Sequence, residues 1–239
     1  MNRIEKTGKE TIVSIDVVEP YDFELSLRAY RSFLPKGEAQ DKTFHIAVKS
    51  DNTPIMITIS KDQASRNNIT ASADQEVEDV FLNKTANWVL STELDLSPFY
   101  RLIHNDEKLD SIIKPLHGLK PFRPVSLFEM AVVAISEQQI SLSAAFCIRS
   151  RIVVRFGTPL KDEWIFPDPI RLANAQIEDL RSCGLSKQKA QYIHELGSIA
   201  RGELDLDDLK RMNDDQARET IMSWLGFGKW SADIFLCVA

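Results

Sequence analysis

The stretch LGFGKWSAD (225–233) decides how the second half of this 239-residue chain is interpreted. The preceding segment DQARETIMSWL (215–225) has a helical apolar pattern, and a further apolar helix starts near Trp230. Two glycines within three residues permit a turn with positive φ and leave backbone amides uncovered by a Cβ. Free N–H groups at the start of the second helix, at the positive end of its dipole, can bind phosphate. The stretch therefore predicts a helix-hairpin-helix that holds a nucleic-acid backbone without reading its sequence.

This interpretation has a competitor, because Gly-x-Gly between two helices also occurs as a plain tight connection. The surrounding pattern is helical, with no strand predicted. Ser126 with Glu129 has the spacing of a capping box, as does Asn213 with Gln216. Residues 96–239 are therefore predicted to form an all-α helix-hairpin-helix bundle.

The first part of the chain alternates β-branched and polar residues, which predicts a small antiparallel sheet. The predicted strands are TIVSIDVV (11–18), TFHIAVK (43–49) and PIMITIS (54–60). The turn-forming SDNTP between the last two predicts a hairpin. Helices are predicted over 20–34 and 75–91, and a loop over 61–74. The expected fold class is α+β, with a β-rich N-terminal domain over 1–95 and a helical domain over 96–239.

Charge is unevenly distributed along the chain. The formal net charge of −6 argues against a general polyanion binder, because clustered Lys and Arg provide most nonspecific affinity for nucleic acids. Between residues 114 and 161, however, seven basic residues occur with only two acidic ones. The seven are Lys114, Lys120, Arg123, Arg149, Arg151, Arg155 and Lys161. We call this stretch the basic segment, and it predicts a local positive charge.

The composition offers nothing for a membrane or a metal. No apolar run approaches the ~18 residues of a membrane span, and the N-terminal MNRIEKTGKE lacks the apolar core of a signal peptide. The three Cys and four His residues are dispersed without the spacing of a metal site. We expect a monomer in the cytoplasm (nucleoid) or the nucleus, not secreted, with no metal and no other cofactor.

Three segments resemble the helix-hairpin-helix superfamily of DNA glycosylases, and they occur in the family's order. They are LFEMAVVAISEQQISLSAA (127–145), WIFPDPIRLANAQIEDLRSCGLSKQKAQYI (164–193) and LGFGKWSAD (225–233). PYDF (20–23) also resembles the start of the β-rich domain of bacterial 3-methyladenine DNA glycosylase II and of 8-oxoguanine glycosylase. The resemblance covers nearly the whole chain. It implies a repair enzyme that extrudes a damaged base from duplex DNA.

The resemblance implies DNA-binding roles in two loops. Gln139 takes the position that inserts into the gap left by the extruded base, Ile140 is a second candidate, and Gln138 is a further contact. The alternative is structural, with the two glutamines satisfying backbone groups between two helices. Glu137 departs from the family, which usually has Gly there, and would place a negative charge near DNA. The implied hairpin contacts are Gly226, Gly228, Lys229 and Ser231.

The resemblance also implies a base pocket. Trp230 stands where strand-cleaving relatives carry a catalytic lysine, so cleavage through a Schiff base is not expected. Its indole can stack on a positively charged alkylated purine. Core packing is the alternative, especially for Trp224. Tyr21 and Phe23 match a corner that borders the pocket in the family, with packing again as the alternative.

The resemblance implies an aspartate that stabilises the positive charge developing on the sugar and orients the attacking water. Its expected position lies beyond Ala239, so we expect no catalytic residue in this chain and an inactive, truncated form. The apolar ending DIFLCVA, without a helix C-cap, favours the same expectation. Asp233 matches a non-catalytic position and is interpreted as a helix-surface residue.

The sequence favours a monofunctional DNA glycosylase that hydrolytically removes alkylated purines such as 3-methyladenine from damaged double-stranded DNA. An 8-oxoguanine-type glycosylase is the enzymatic alternative, against which Trp230 argues. A non-catalytic DNA-damage-binding protein is the alternative from another class. A helical scaffold whose hairpin binds a protein is a third.

Overall fold

The computed structural model describes residues 10–32, 43–61, 69–202 and 206–238. Contacts divide the chain into two compact units, Met1–Arg123 and Pro124–Ala239. The first unit combines a sheet with helices and the second is mainly helical, which confirms the predicted α+β class. None of the helices in the described ranges has the length and hydropathy needed to cross a lipid bilayer.

The first unit contains a four-stranded antiparallel sheet in the order β1-β4-β3-β2. The strands are β1 Thr11–Ile15, β2 Thr43–Ser50, β3 Thr53–Lys61 and β4 Ile69–Ala73. The predicted hairpin is confirmed, since β2 and β3 pair directly from Thr43↔Ser60 to Ser50↔Thr53. The first strand ends at Ile15, earlier than predicted.

Strand β4 contradicts the sequence prediction, because it lies inside the stretch 61–74 that the polar composition assigns to a loop. Residues 62–68 of that stretch lie outside the described residues. Alanine has a low strand propensity, which hides this strand in the sequence. Ala71 is nevertheless held between Val13 of β1 and Ile59 of β3, and it is fully buried. Tertiary pairing therefore overrides the local preference.

Helices α1 and α2 contribute to the core of this unit together with the sheet. The helices are α1 Phe23–Ser32, α2 Asp79–Leu90, α3 Ser97–Ile103 and α4 Glu107–Ile113, followed by a 3-10 turn at Lys114–Leu116. Helix α1 begins at Phe23 rather than at Pro20, because the Asp22 carboxylate accepts a hydrogen bond from Leu25 N at 2.9 Å. Residues 33 and 34 of the predicted helix lie outside the described residues.

Lys120 and Arg123 tie the segment after α4 to the first unit. Lys120 is 1% exposed, and its Nζ donates to Val18 O at 2.7 Å and Thr92 O at 3.0 Å. The Arg123 guanidinium lies 4.7 Å from the ring of Trp88. The division between the units therefore follows Arg123, later than the predicted residue 95. Burial lowers the pKa of Lys120, which is a buried structural residue rather than part of a basic surface.

The second unit is built mainly of helices. They are α5 Leu127–Glu137, α6 Leu142–Phe156, α7 Pro169–Ala173, α8 Ile177–Ser182, α9 Lys187–Gly202, α10 Asp214–Met222 and α11 Lys229–Val238, with a 3-10 turn at Leu206–Arg211. Helix α5 lies at the centre, with nine of its eleven residues buried. It packs against α6, α9 and α11.

A short hairpin interrupts the helices, contrary to the prediction of no strand in this half. Strands β5 Thr158–Leu160 and β6 Glu163–Ile165 pair antiparallel, and Lys161 in the turn has φ 53°. Three residues are too few for a recognisable alternation of polar and apolar positions, so the sequence carries no strand signal here.

The predicted caps are present with one change of partner. Asn213 and Gln216 form the complete capping box. Ser126 Oγ accepts from Glu129 N at 3.1 Å, but the Glu129 carboxylate accepts from Val125 N instead of Ser126 N. Both helix starts are therefore fixed as their sequences predict.

We expect Lys120→Met to lower the free energy of unfolding by about 2–4 kcal/mol, because two largely buried carbonyls lose their donor. Urea unfolding followed by circular dichroism measures this. Lys114→Met removes an exposed charge and should stay within about 0.5 kcal/mol of the parent protein. Equal unfolding energies for the two variants would contradict the structural role of Lys120.

Candidate nucleic-acid interface

The helix-hairpin-helix predicted from LGFGKWSAD is present. A turn over residues 223–228 separates α10 from α11, so α10 ends three residues earlier than predicted. The turn has an apolar core of its own, in which Trp224 packs edge to face against Phe227 at 5.3 Å and Phe235 at 5.9 Å. Trp224 is 6% exposed, which confirms the packing alternative for this residue.

The two hairpin glycines are required for different reasons. Gly226 has φ 87°, and a Cβ placed on it would lie 2.2 Å from the Tyr192 ring. Gly228 does not adopt the positive φ that a glycine permits. It is exposed, and a Cβ built on it would meet nothing within 4 Å. Gly226 therefore serves the packing of the turn, whereas Gly228 leaves the backbone open to an approaching group.

The first turn of α11 presents backbone donors. The intrahelical bonds start with Ala232 N, which donates to Gly228 O at 3.0 Å, so helix geometry leaves the N–H groups of residues 229–231 without a helical acceptor. Lys229 is exposed and Trp230 is 52% exposed. These groups offer an anion site with a cation and an indole beside it.

The loop between α5 and α6 has three exposed residues out of four. We call Gln138–Ser141 the insertion loop. Gln139 is exposed with φ 57°, and Ile140 is 39% exposed. Ser141 closes the loop by accepting from Ala144 N at 3.3 Å, which caps α6. The loop therefore ends in a short polar and apolar tip.

Gln138 connects this loop to the hairpin. Its side-chain amide donates to Gly226 O at 2.8 Å and to Ser231 Oγ at 2.9 Å. Ser231 is only 3% exposed, so its hydroxyl is turned inward rather than toward a ligand. Both side chains were candidate DNA contacts by sequence, and the structure places them in contact with each other.

Lys189 of α9 binds the start of the loop, at the C-terminal end of α5. Its Nζ donates to Ser136 O at 2.9 Å and to Gln138 O at 2.6 Å. Burial lowers the pKa of Lys189. A cation at these carbonyls satisfies acceptors that a helix end leaves free and lies at the negative end of the helix dipole.

Arg149 of α6 is placed among acidic and aromatic side chains of the same unit. Its guanidinium lies 4.3 Å from the Phe146 ring. Burial raises the pKa of Glu137 and of Glu129, and the charge of Arg149 opposes the rise in both. The negative charge expected near DNA at Glu137 is therefore partly offset by Arg149.

The basic segment is less positive than its composition predicts. Lys120 is buried and Arg123 lies over an indole, both in the first unit. In the second unit, Arg155 forms an ion pair with Asp179 at 2.6 Å, and Arg149 has carboxylates near it. Arg151 donates to Cys183 O at 3.5 Å, so at least five of the seven basic residues have a partner or are buried.

Tyr21 and Phe23 belong to the first unit. Phe23 is 2% exposed and lies in the hydrophobic core, with Tyr21 packed against that core. Burial, with a smaller contribution from Asp22, raises the pKa of Tyr21. Packing thus accounts for both side chains, and a role in a base pocket stays a prediction.

Asp233 has the structural role that its position predicts. Its carboxylate accepts from Arg218 Nε at 3.0 Å, which joins α10 to α11. This hydrogen bond is the main cause of a raised pKa for Arg218. Asp233 is therefore paired with Arg218 on the surface of the hairpin helices.

The sequence did not predict the structural roles of Lys189 and Tyr192, although both lie in the GLSKQKAQYI part of the second resembling segment. Helical spacing places Lys189 and Tyr192 close together on α9. Nothing local indicates that one reaches the end of α5 and the other packs on Gly226.

Comparisons with known proteins agree with this geometry. Residues 132–233 match the family model of the HhH-GPD superfamily base excision DNA repair protein. A DNA-3-methyladenine glycosylase of Bacillus subtilis (strain 168) is 30% identical over 147 residues, which are 59% of this chain and 48% of the relative. The chain spans about half the length of such curated relatives.

Two solved structures share the fold. The 3-methyladenine DNA-glycosylase from Archaeoglobus fulgidus has a TM-score of 0.77 at 25% identity, over 95% of this chain and 79% of that one. The 8-oxoguanine glycosylase/lyase of Clostridium acetobutylicum, in complex with double-stranded DNA, has a TM-score of 0.72 at 16% identity, over 100% and 79% of the respective chains. Residues 132–233, which include the insertion loop and the hairpin, therefore match the HhH-GPD superfamily of base excision DNA repair proteins, and the fold of the chain is similar to that of these two glycosylases.

Proposed function

We propose that this protein is a monofunctional DNA glycosylase that removes alkylated purines such as 3-methyladenine from duplex DNA. One observation carries the proposal: the insertion loop and the hairpin are joined directly through the Gln138 amide. A wedge and a phosphate-binding turn held together in this way are what extrusion of a nucleotide requires. The relatives named for 3-methyladenine supply the substrate class.

In this proposal the hairpin binds one DNA strand. The N–H groups of residues 229–231 hold a phosphate, Gly228 lets it approach, and Lys229 adds a charge contact. Gly226 and Ser231 shape the turn from within. Binding of this kind ignores base sequence, which suits an enzyme that must find a lesion in any context.

The insertion loop would then act on the base stack. Gln139 and Ile140 are the exposed residues available to fill the gap, and Gln138 anchors them. Trp230 offers its indole face to the extruded base. A positively charged alkylated purine is attracted to that face, and the absence of a lysine at position 230 argues against strand cleavage.

The chemical step needs a carboxylate that stabilises the developing sugar cation. Asp233 is paired with Arg218 and is not our candidate. The aspartate implied by the resemblance stays an expectation. The expected truncation and inactivity of this chain receive no support from the comparisons, so activity is a matter for direct assay. No metal or cofactor enters the proposal, and the site of action would be the nucleoid or nucleus.

Two other functions remain distinguishable by assay. An 8-oxoguanine glycosylase is favoured by the shared fold alone. A non-catalytic damage-binding protein would use the same hairpin and loop without base release. A monomer bound to damaged duplex is the simplest assembly for all three.

We expect a form of the protein that carries the expected aspartate to release free 3-methyladenine from duplex DNA treated with a methylating agent, without nicking the strand. Chromatography of the released bases measures the first result. Gel analysis with and without alkaline treatment measures the second, because an abasic site breaks only in alkali when no lyase acts.

Two outcomes would contradict this proposal. Release of 8-oxoguanine with strand cleavage would favour the lyase alternative. Selective binding of methylated duplex with no release of base would favour a damage-binding protein, and a parallel assay with an active glycosylase controls for substrate quality.

The hairpin glycines provide a matched pair of variants. Gly228→Ala should lower affinity for duplex DNA about tenfold at unchanged stability, because the methyl group faces open space where the phosphate approaches. Gly226→Ala should lower the unfolding free energy by about 1–3 kcal/mol, because of its φ and the Tyr192 ring. Fluorescence anisotropy and urea unfolding measure the two effects. Full affinity in Gly228→Ala would exclude this turn as the phosphate site.

Trp230 is tested by comparing charged and neutral lesions. Trp230→Ala should slow removal of cationic 3-methyladenine by about 2- to 30-fold, the range of a cation–π contact. Removal of a neutral lesion such as hypoxanthine should fall less, and Trp230→Phe should retain part of the preference. Single-turnover rates measure the effect, and equal losses for both lesions would count against recognition of charge.

A further inference from the structure

Two partly buried side chains, Gln138 and Lys189, connect elements that lie far apart in the sequence. The proposed function assigns DNA contacts to the tip of the insertion loop and to the first turn of α11. It leaves open what keeps these two contacts at a constant separation. The hydrogen bonds of Gln138 and Lys189 address that question.

Lys189 fixes the start of the loop. Its two bonds reach the carbonyls of Ser136 and Gln138, where the regular bonds of α5 end. The Ser136 hydroxyl does not compete with Lys189 for the Ser136 carbonyl, because it donates to Val132 O at 2.7 Å inside α5. Since nine of the eleven residues of α5 are buried, Lys189 joins the loop to a helix in the core of the unit.

Gln138, whose carbonyl accepts from Lys189, also connects the loop to the hairpin. Its backbone carbonyl receives Lys189, while its side-chain amide binds Gly226 O and Ser231 Oγ. A primary amide has two N–H donors, and these two acceptors use both. One residue is therefore bound to α9 on its main chain and to both sides of the hairpin turn on its side chain.

The next residue is the one that needs this support. Gln139 has φ 57°, a left-handed conformation that is disfavoured for a residue with a Cβ. Gln138 precedes it with the three bonds just described, and the Ser141 cap follows. Without these restraints the tip would relax toward commoner backbone conformations.

We propose that Lys189 and Gln138 are positioning residues that hold the insertion tip at a set distance from the phosphate-binding turn, so that base extrusion depends on them while general DNA affinity does not. The inference rests on the proposed function. It assigns no DNA contact to Lys189. Small misplacements of a reacting or inserting group reduce rates by up to about a hundredfold.

The test separates extrusion from binding. A duplex carrying a stable abasic analogue next to 2-aminopurine reports unstacking by fluorescence, and anisotropy with an undamaged duplex reports backbone binding. Lys189→Met should reduce the fluorescence rise at saturating protein at least fivefold. Its dissociation constant for undamaged duplex should stay within twofold of that of Lys187→Met.

Lys187→Met is the matched control. Lys187 is exposed on the same helix, so its replacement changes the net charge equally without removing the bonds to α5. It should keep the parent fluorescence rise. Lys189→Arg should restore at least half of the signal, because a guanidinium can again donate to two carbonyls. A purely structural role would not separate the two readouts in this way.

Gln138→Met provides a second route if Lys189→Met does not fold, since it keeps the side-chain size but has no donor. It should show the same loss of fluorescence with retained affinity. Equal fluorescence in the parent and in Lys189→Met or Gln138→Met, or a parallel loss of both readouts, would overturn the inference. Failure of the parent itself to bind duplex or unstack 2-aminopurine would instead overturn the proposed function, and the inference with it.

Discussion

The side-chain amide of Gln138 donates to Gly226 O at 2.8 Å and to Ser231 Oγ at 2.9 Å, across 88 and 93 positions of sequence. A partly buried amide without partners would cost about 1–3 kcal/mol, so this arrangement favours one placement of the loop relative to the hairpin. The hairpin turn is stabilised as well, because the two acceptors lie on either side of Gly228 in the sequence. Gly228 and the exposed donors of α11 belong to this turn, which is also held by its own aromatic packing.

The turn is also supported by packing. Trp224 fills the space under it with Phe227 and Phe235, and Tyr192 lies where any Cβ on Gly226 would be. Local sequence and tertiary contact therefore agree at Gly226. The two tryptophans of this region differ in exposure. Trp224 lies in the core, whereas Trp230 is half exposed. The half-exposed indole of Trp230 therefore lies beside the backbone donors of α11 that the proposed function assigns to a phosphate.

How far the sequence predicts this structure depends on whether the deciding contact is local. The capping box at Asn213, the hairpin at Gly226 and the β2–β3 pair each depend on residues close in sequence, and all three were predictable. Strand β4 was not, because its alanines enter a sheet only through their neighbours. The burial of Lys120 and the hydrogen bonds of Lys189 could not be predicted either, because the sequence does not show which distant carbonyls these lysines bind. Motif resemblance identified the candidate interface residues, but it did not reveal which of them are exposed and which contact one another inside the unit.

The difference between exposed and buried residues changes the electrostatic account of DNA binding. The protein carries a net charge of −6, and the basic segment, whose composition predicts a local positive charge, is partly buried or paired. Affinity that came from many Lys and Arg contacts would fall steeply with salt, in proportion to the phosphates neutralised. A grip made of backbone N–H groups at one helix start, with Lys229 beside it, neutralises few phosphates. If the chain acts as proposed, its contact with undamaged duplex is expected to be weak. Longer residence would occur only where the insertion tip and the Trp230 indole engage a base that has left the stack.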